Sequence, residues 1–183
     1  MKTIIIFLFT IVFYSTSSIA QIGDNFPAIK GETLEGEIIE IPADTNDKFT
    51  LVGMAYSKKS EADLNTWFEP IYFKFIYKSE KPSLFSSFAY DIHVYFIPMF
   101  TGVKTAAEKT VRRKALKNFD ERLFPNILFY KGQLKPYKDA LDFERKDTPY
   151  FFVINKEGKI VYATSGIFTE EKLAAVEASI EDF

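Results

Sequence analysis

Ser57 and Ser60 bracket Lys58-Lys59 directly after the apolar run from Phe49 to Tyr56. A serine hydroxyl becomes a nucleophile only beside a base that takes its proton. The chain holds a single histidine, His93, and that residue sits inside another apolar run. Nothing in the spacing joins a serine, His93 and an acid into a triad, and no elbow glycines flank any serine. One histidine cannot build a zinc site unaided, and Asp24, Glu61, Asp63 and Glu69 lack the spacing of a metal-binding loop. His93 therefore reads as a packed or rim histidine, and the chain is expected to carry no metal and no cofactor. Two readings of Ser57 stay open. It is an N-cap whose oxygen takes the free amides of the next helical turn, or part of a turn that holds a peptide without reacting. Lys58 and Lys59 oppose the positive end of that helix, a cost of roughly a few tenths of a kcal/mol.

The elements that position these residues follow from hydrophobic periodicity. Phe49 to Tyr56 is an almost unbroken apolar run, the mark of a central strand covered on both faces. Leu64, Trp67, Phe68, Ile71, Tyr72, Phe75 and Ile76 then recur at spacings of three and four, so they line one helical face. Pro70 inside this helix predicts a kink near Thr66 to Glu69, and Trp67 is expected in the core. Asp91 to Pro98 is a second strand. Lys104 to Phe119 is a second helix, with Ala107, Val111, Ala115 and Phe119 on one side and Lys109, Arg112, Arg113, Lys114 and Lys117 as a solvated basic face. Asn126 to Tyr130 suggests a short strand, and Tyr137 to Phe143 a helical turn or two.

Both ends of the chain carry clear punctuation. Gln21 to Pro42 reads as an N-terminal hairpin around Gly31 and Gly36, with Leu34, Ile38 and Ile41 on its apolar side. Near the C-terminus, Tyr150 to Ile154 and Lys159 to Thr164 flank Asn155-Lys156-Glu157-Gly158, a strong hairpin signal. Thr169 caps the last helix, Glu170 and Glu171 suit its first turn, and Phe168 with Leu173 forms a hydrophobic staple.

Composition narrows the function classes. The chain has 183 residues, enough for one well-buried domain, and a net charge of −2, which gives no basis for nucleic-acid binding. It contains no cysteine. Disulfides, thiolate metal sites, cysteine nucleophiles and thiol redox chemistry are removed together. Residues 1–20 read as a signal peptide: Lys2, an apolar run from Ile4 to Tyr14, then Ser18-Ile19-Ala20 before Gln21. The run is shorter than the roughly 20 residues a spanning helix needs. The expected address is the periplasm or the exterior of a bacterium, without a lipid anchor, with residues 21–183 as one domain.

Several motifs together resemble the thioredoxin-like superfamily. Ile22-Gly23-Asp24-Asn25-Phe26-Pro27 is similar to the opening of exported thioredoxin-like and peroxiredoxin-like domains, Asn155 to Gly158 to the family's Asp-x-x-Gly turn, and Gly166 to the glycine before the last helix. The resemblance implies an α/β fold, a three-layer α/β/α sandwich with an N-terminal β-hairpin. It places Ser57 and Ser60 where the family carries its reactive Cys-x-x-Cys. It places Thr148-Pro149 at the family's cis-proline, beside a surface where extended peptide pairs. Trp67-Phe68-Glu69-Pro70 and the stretch from Tyr150 to Thr169 resemble, more narrowly, the mitochondrial ATP synthase assembly-factor family, whose members assist assembly without oxidoreductase chemistry.

These readings predict a protein that is not an enzyme. It binds or helps assemble other envelope proteins through Ser57, Lys58, Lys59, Ser60, Thr148 and Pro149. Peripheral membrane contact through the basic helix face is compatible with the same sequence. The alternatives are an enzyme of non-thiol chemistry on this scaffold and an inert structural or surface module.

Overall fold

The computed structural model describes residues 21–77, 90–101 and 108–181. The expected signal peptide, the polar break after Tyr77 and the first turn of the second helix lie outside those residues. Seven strands form one mixed sheet: β1 (Ile29–Thr33), β2 (Ile38–Ile41), β3 (Thr50–Ala55), β4 (His93–Thr101), β5 (Leu128–Gly132), β6 (Tyr150–Ile154) and β7 (Ile160–Ser165). Their order is β2-β1-β5-β4-β3-β6-β7. The β3–β4 and β4–β5 pairs are parallel, and the β1–β2, β1–β5, β3–β6 and β6–β7 pairs are antiparallel.

The central position of β3 follows from its sequence. All six of its residues are buried, so neither face is left to water. Leu51 and Ala55 join one cluster, together with Val94, Phe96, Phe151 and Val153 of the neighbouring strands. Val52 and Met54 join the other, with Ile97, Met99, Phe152 and Ile154. This is the alternation expected of a strand whose side chains point to opposite faces. Gly53 leaves room for its neighbours: a Cβ there would stand 2.6 Å from Cε1 of Phe151 on β6 and 3.0 Å from Cδ1 of Leu64 on the helix that follows β3.

The helices cover the faces unequally. Leu64, Trp67, Ile71 and Phe75 pack on the first face beside Leu173 and Val176 of α5 (Glu170–Glu181). A third cluster extends this layer under α3 (Glu108–Asn118) and a 3-10 turn (Glu121–Asn126), through Tyr72, Phe100, Ala115, Leu123 and Phe129. The opposite face is closed by Tyr137 and Leu141 of α4 (Lys135–Leu141), with Phe143 just beyond it.

The helix after β3 breaks where Pro70 predicts. It runs as α1 (Lys58–Asn65), restarts as α2 (Phe68–Ile71) and continues as a π-helical turn (Tyr72–Ile76). Restarting puts Pro70 in the first turn of α2, where its missing N–H costs little. Trp67 at the break is fully buried, and its indole donates to the Gly166 carbonyl at 2.9 Å. The C-terminal hairpin also forms as its sequence indicates. Asn155 Oδ1 accepts from the backbone of Glu157 and Lys159, and Gly158 takes a φ of +77° that other residues resist.

Two expectations are corrected. Ile38 does not join the apolar side of its hairpin but is 56% exposed, because it opposes Glu32 at the outer end of the β1–β2 pair. The basic helix is not one solvated face either. Arg112 turns inward, donates to the Thr33 carbonyl at 2.5 Å, pairs with Glu32 at 3.0 Å and lies over the Phe129 ring. These bonds all use Nη2, while Nη1 is buried without a hydrogen-bond partner among the described residues, and the planar guanidinium rests its face on the apolar surface as a lysine would not.

Candidate functional site

The junction of β3 and α1 is closed by its own hydrogen bonds. Ser57 is extended (φ −138°, ψ 160°) and caps α1, with Ser60 N–H donating to its Oγ at 3.1 Å. Ser60 Oγ in turn accepts from the backbone N–H of Tyr56 at 3.2 Å and of Ser57 at 2.9 Å, and donates to the Ser57 carbonyl at 3.0 Å. This reciprocal arrangement is a capping box with serine in the third helical position in place of the usual acid or amide. Ser57 Oγ also donates to Asp147 Oδ1 at 2.9 Å, across 90 positions of sequence.

The two hydroxyl oxygens lie 3.1 Å apart. Each hydroxyl carries one proton. With Ser57 donating to a carboxylate and Ser60 to a carbonyl, both protons are spent on better acceptors than each other. Ser57 is 5% exposed and Ser60 is fully buried, so neither oxygen has room for a substrate carbonyl. Asp147 is the acid at hand. A carboxylate bonded directly to a serine hydroxyl, with no imidazole between them, lacks the general base that serine nucleophiles use. His93 cannot supply the missing base. It opposes Thr50 at the start of β3, roughly 20 Å from Ser57 at strand rise. There its Nε2 meets Asp47 Oδ1 at 2.7 Å, an arrangement that holds the Asp47 carboxyl below its ordinary value. Among the described residues, no group of three or more His, Cys, Asp or Glu side chains is placed to hold a metal ion.

Aromatic rings floor the junction. Tyr56 stacks on Phe143 at 5.6 Å and Phe143 on Tyr150 at 4.6 Å. Burial pushes the Tyr56 phenol up to about 12, with nearby Tyr150 and Asp147 adding to the rise. Tyr150 is raised by burial too, while its hydroxyl receives the Arg145 N–H at 2.7 Å and so ties down the loop that carries Asp147.

The expected cis geometry of Thr148-Pro149 is overturned. The cis bond among the described residues is Ile41–Pro42, and Thr148–Pro149 is trans. Pro149 enters β6 in an extended line, with its carbonyl accepting from Gly166 N–H at 2.9 Å. A trans bond, ordinarily favoured by about 0.5–1 kcal/mol, serves that entry.

These strands, helices and turns have known counterparts. A DsbE thiol:disulfide interchange protein of Chlorobium tepidum superposes with a TM-score of 0.55 at 12% identity, covering 88% of this chain and 96% of its own. BsSco, of the Sco family of cytochrome c oxidase assembly proteins, gives 0.55 at 10% identity over 88% and 97%. The exposed lipoprotein thioredoxin Etrx1 of Streptococcus pneumoniae gives 0.54 at 14% identity over 86% and 100%. The fold is thioredoxin-like. No family model and no curated protein matches the chain, so the narrower likeness to the ATP synthase assembly factors stands on the quoted residues alone.

Within this thioredoxin-like frame, the six expected contact residues divide by exposure. Lys58 and Lys59 are exposed, Thr148 is half-buried, and Ser57, Ser60 and Pro149 are buried. The sequence reading missed Asp147, whose partner is visible only once the loop folds back. It also missed Ile167, 54% exposed on the loop whose Gly166 binds both Trp67 and Pro149. The glycine before the last helix was the available signal for that loop. No helix among the described residues is long and apolar enough to cross a membrane.

Proposed function

We propose that the chain is an exported, non-catalytic thioredoxin-fold protein that binds a segment of another envelope protein and assists its assembly. The observation that carries the reading is the Ser57–Ser60 pair. Both hydroxyls stand where the resemblance places reactive thiols, and both are consumed by capping and by Asp147. With no cysteine in the chain, thiol–disulfide exchange has no reactive atom. What that end of the sheet still offers is surface: the exposed Lys58 and Lys59, the half-buried Thr148 and the apolar Ile167. The chemistry left to such a surface is recognition. BsSco belongs to a family of assembly proteins on the same fold, so assembly work is a role this scaffold supports elsewhere.

Photocrosslinking tests the reading. A photoreactive residue at Lys58 or at Ile167 is expected to give a discrete adduct with one envelope protein, while the same residue at Ile38, on the outer hairpin, gives none. The variant Ser57→Ala is expected to keep the adduct, since the hydroxyl is structural. Adducts that are equal at all three positions, or absent from Lys58 and Ile167, overturn the proposal.

A further inference from the structure

A second feature lies on the helical layer, away from the serine junction. A cleft of about 330 Å³ opens between the wall formed by α2 and its π-helical continuation and the segment that joins α3 to the 3-10 turn. Its volume falls at the small end of ligand pockets. Phe68, Tyr72 and Phe73 form one wall and Phe119 faces them, with the Phe68 and Phe119 ring centroids 5.3 Å apart. The π-helical turn helps set this wall. Tyr77 N–H donates to the Tyr72 carbonyl in place of the usual spacing, and the Tyr72 and Phe73 rings meet edge to face at 5.4 Å. Single-turn π-helices are frequent at functional sites.

Three charged groups line the cleft, and two of them cancel. Arg122 grips both oxygens of Asp120 at 2.9 and 2.5 Å, and its own N–H donates to the same carboxylate. Those bonds hold the Asp120 carboxyl down at about 2. The guanidinium lies 5.0 Å over the Tyr72 ring, which shows a cation already accommodated against this wall. The third group, Glu69, is exposed and forms no ion pair among the described residues. The cleft thus presents aromatic faces, which carry negative quadrupole charge, and one carboxylate with no counter-ion among the described residues.

We infer that this cleft binds a small organic cation with apolar substituents, an alkylammonium, seated on the Phe68, Phe73 and Phe119 rings with its charge facing Glu69. An anion meets Glu69 and the ring faces unfavourably, and Arg122 has its fork filled by Asp120. A neutral apolar molecule fits the rings but gains nothing from the carboxylate. This inference is independent of the partner-binding role proposed for the β3–α1 junction.

The test uses the whole chain and three probes of matched shape, followed by amide chemical shifts: choline, its neutral carbon isostere 3,3-dimethyl-1-butanol, and the anion 3,3-dimethylbutanoate. Choline is expected to shift amides around Phe73 and Phe119 and to bind about tenfold tighter than the alcohol, with the anion weakest. Glu69→Gln is expected to weaken choline about fivefold and leave the alcohol unchanged. Phe73→Leu keeps the apolar wall and removes one ring face, so it weakens choline more than the alcohol. Both side chains are exposed, so both variants are expected to fold, and a thermal melt checks this. Equal affinity for choline and the alcohol overturns the inference in favour of a purely apolar slot. Tighter binding of the anion overturns it in favour of Arg122. Absence of shifts at the cleft overturns it outright.

Discussion

The serine junction and the aromatic cleft sit on one domain and solve opposite problems. At the junction both hydroxyls have partners inside the chain: Ser57 and Ser60 bond each other's backbone, and Asp147 accepts from the Ser57 hydroxyl. At the cleft the rings are apolar, open and only partly covered, and Glu69 faces outward without a counter-ion among the described residues. A buried hydroxyl that is fully bonded has nothing left to offer a substrate, whereas an uncovered ring and a lone carboxylate do. The position that the sequence resemblance would suggest first is therefore the chemically quieter of the two.

The largest expected change restores what the junction lacks. The double variant Ser57→Cys, Ser60→Cys replaces two oxygens already 3.1 Å apart, and a disulfide needs about 2.05 Å between sulfurs on longer Cβ–S bonds. It is expected to oxidise completely in glutathione buffer, as counted by thiol titration. Two persistently free thiols would break the comparison by showing that the turn is not where the pair belongs.

Next in size is Ser60→Ala, which leaves the buried Tyr56 and Ser57 amides without an acceptor. It is expected to cost about 2–3 kcal/mol in denaturant unfolding. Ser57→Ala removes one cap and should cost about 1 kcal/mol. A Ser60 variant as stable as the parent would mean that the junction is not held by these bonds.

The alkaline limb of stability gives a third measure. The Tyr56 phenol has its pKa raised in the fold, from 10 to about 12. The native state therefore holds the proton more tightly than the unfolded chain. The contribution is complete below pH 10 and is lost as pH rises from 10 towards 12. Tyr56→Phe is expected to flatten that part of the stability–pH profile, read from urea midpoints. An unchanged slope would show that the ring stack against Phe143 does not keep the phenol neutral.

The smallest effect belongs to the cleft. Phe73 is 60% exposed, so Phe73→Ala is expected to move stability by no more than about 0.5 kcal/mol. A loss as large as that of Ser60→Ala would erase the contrast and make the cleft wall part of the core.

How much of this was legible in the sequence depended on the distance over which each interaction acts. The Ser57 cap, the break at Pro70, the Asn155–Gly158 turn and the Thr169 cap were readable because donor and acceptor lie within a few residues of each other. Trp67 was readable as core from its place in the apolar stripe. Arg112 was not, since helical periodicity assigns a charged residue to solvent and cannot see that a strand end at Thr33 will come within reach. Asp147 was hidden for the same reason, its partner being 90 positions away. The geometry at Pro149 was expected by likeness and decided by the local entry into β6. The cleft was invisible, because its walls come from segments whose spacing is fixed only by packing.

The sequence by itself determined that this protein has no thiol chemistry, because an absent atom cannot be supplied by folding. It also determined the strands, caps and turns, because these rest on local dihedral preferences and on hydrophobic period. Only the tertiary structure decided that Ser57 is tied to Asp147, that Arg112 is drawn inward, and that four aromatic rings leave an open space beside Glu69. Those outcomes depend on which distant surfaces meet when the apolar faces are buried, and burial acts without regard to separation along the chain.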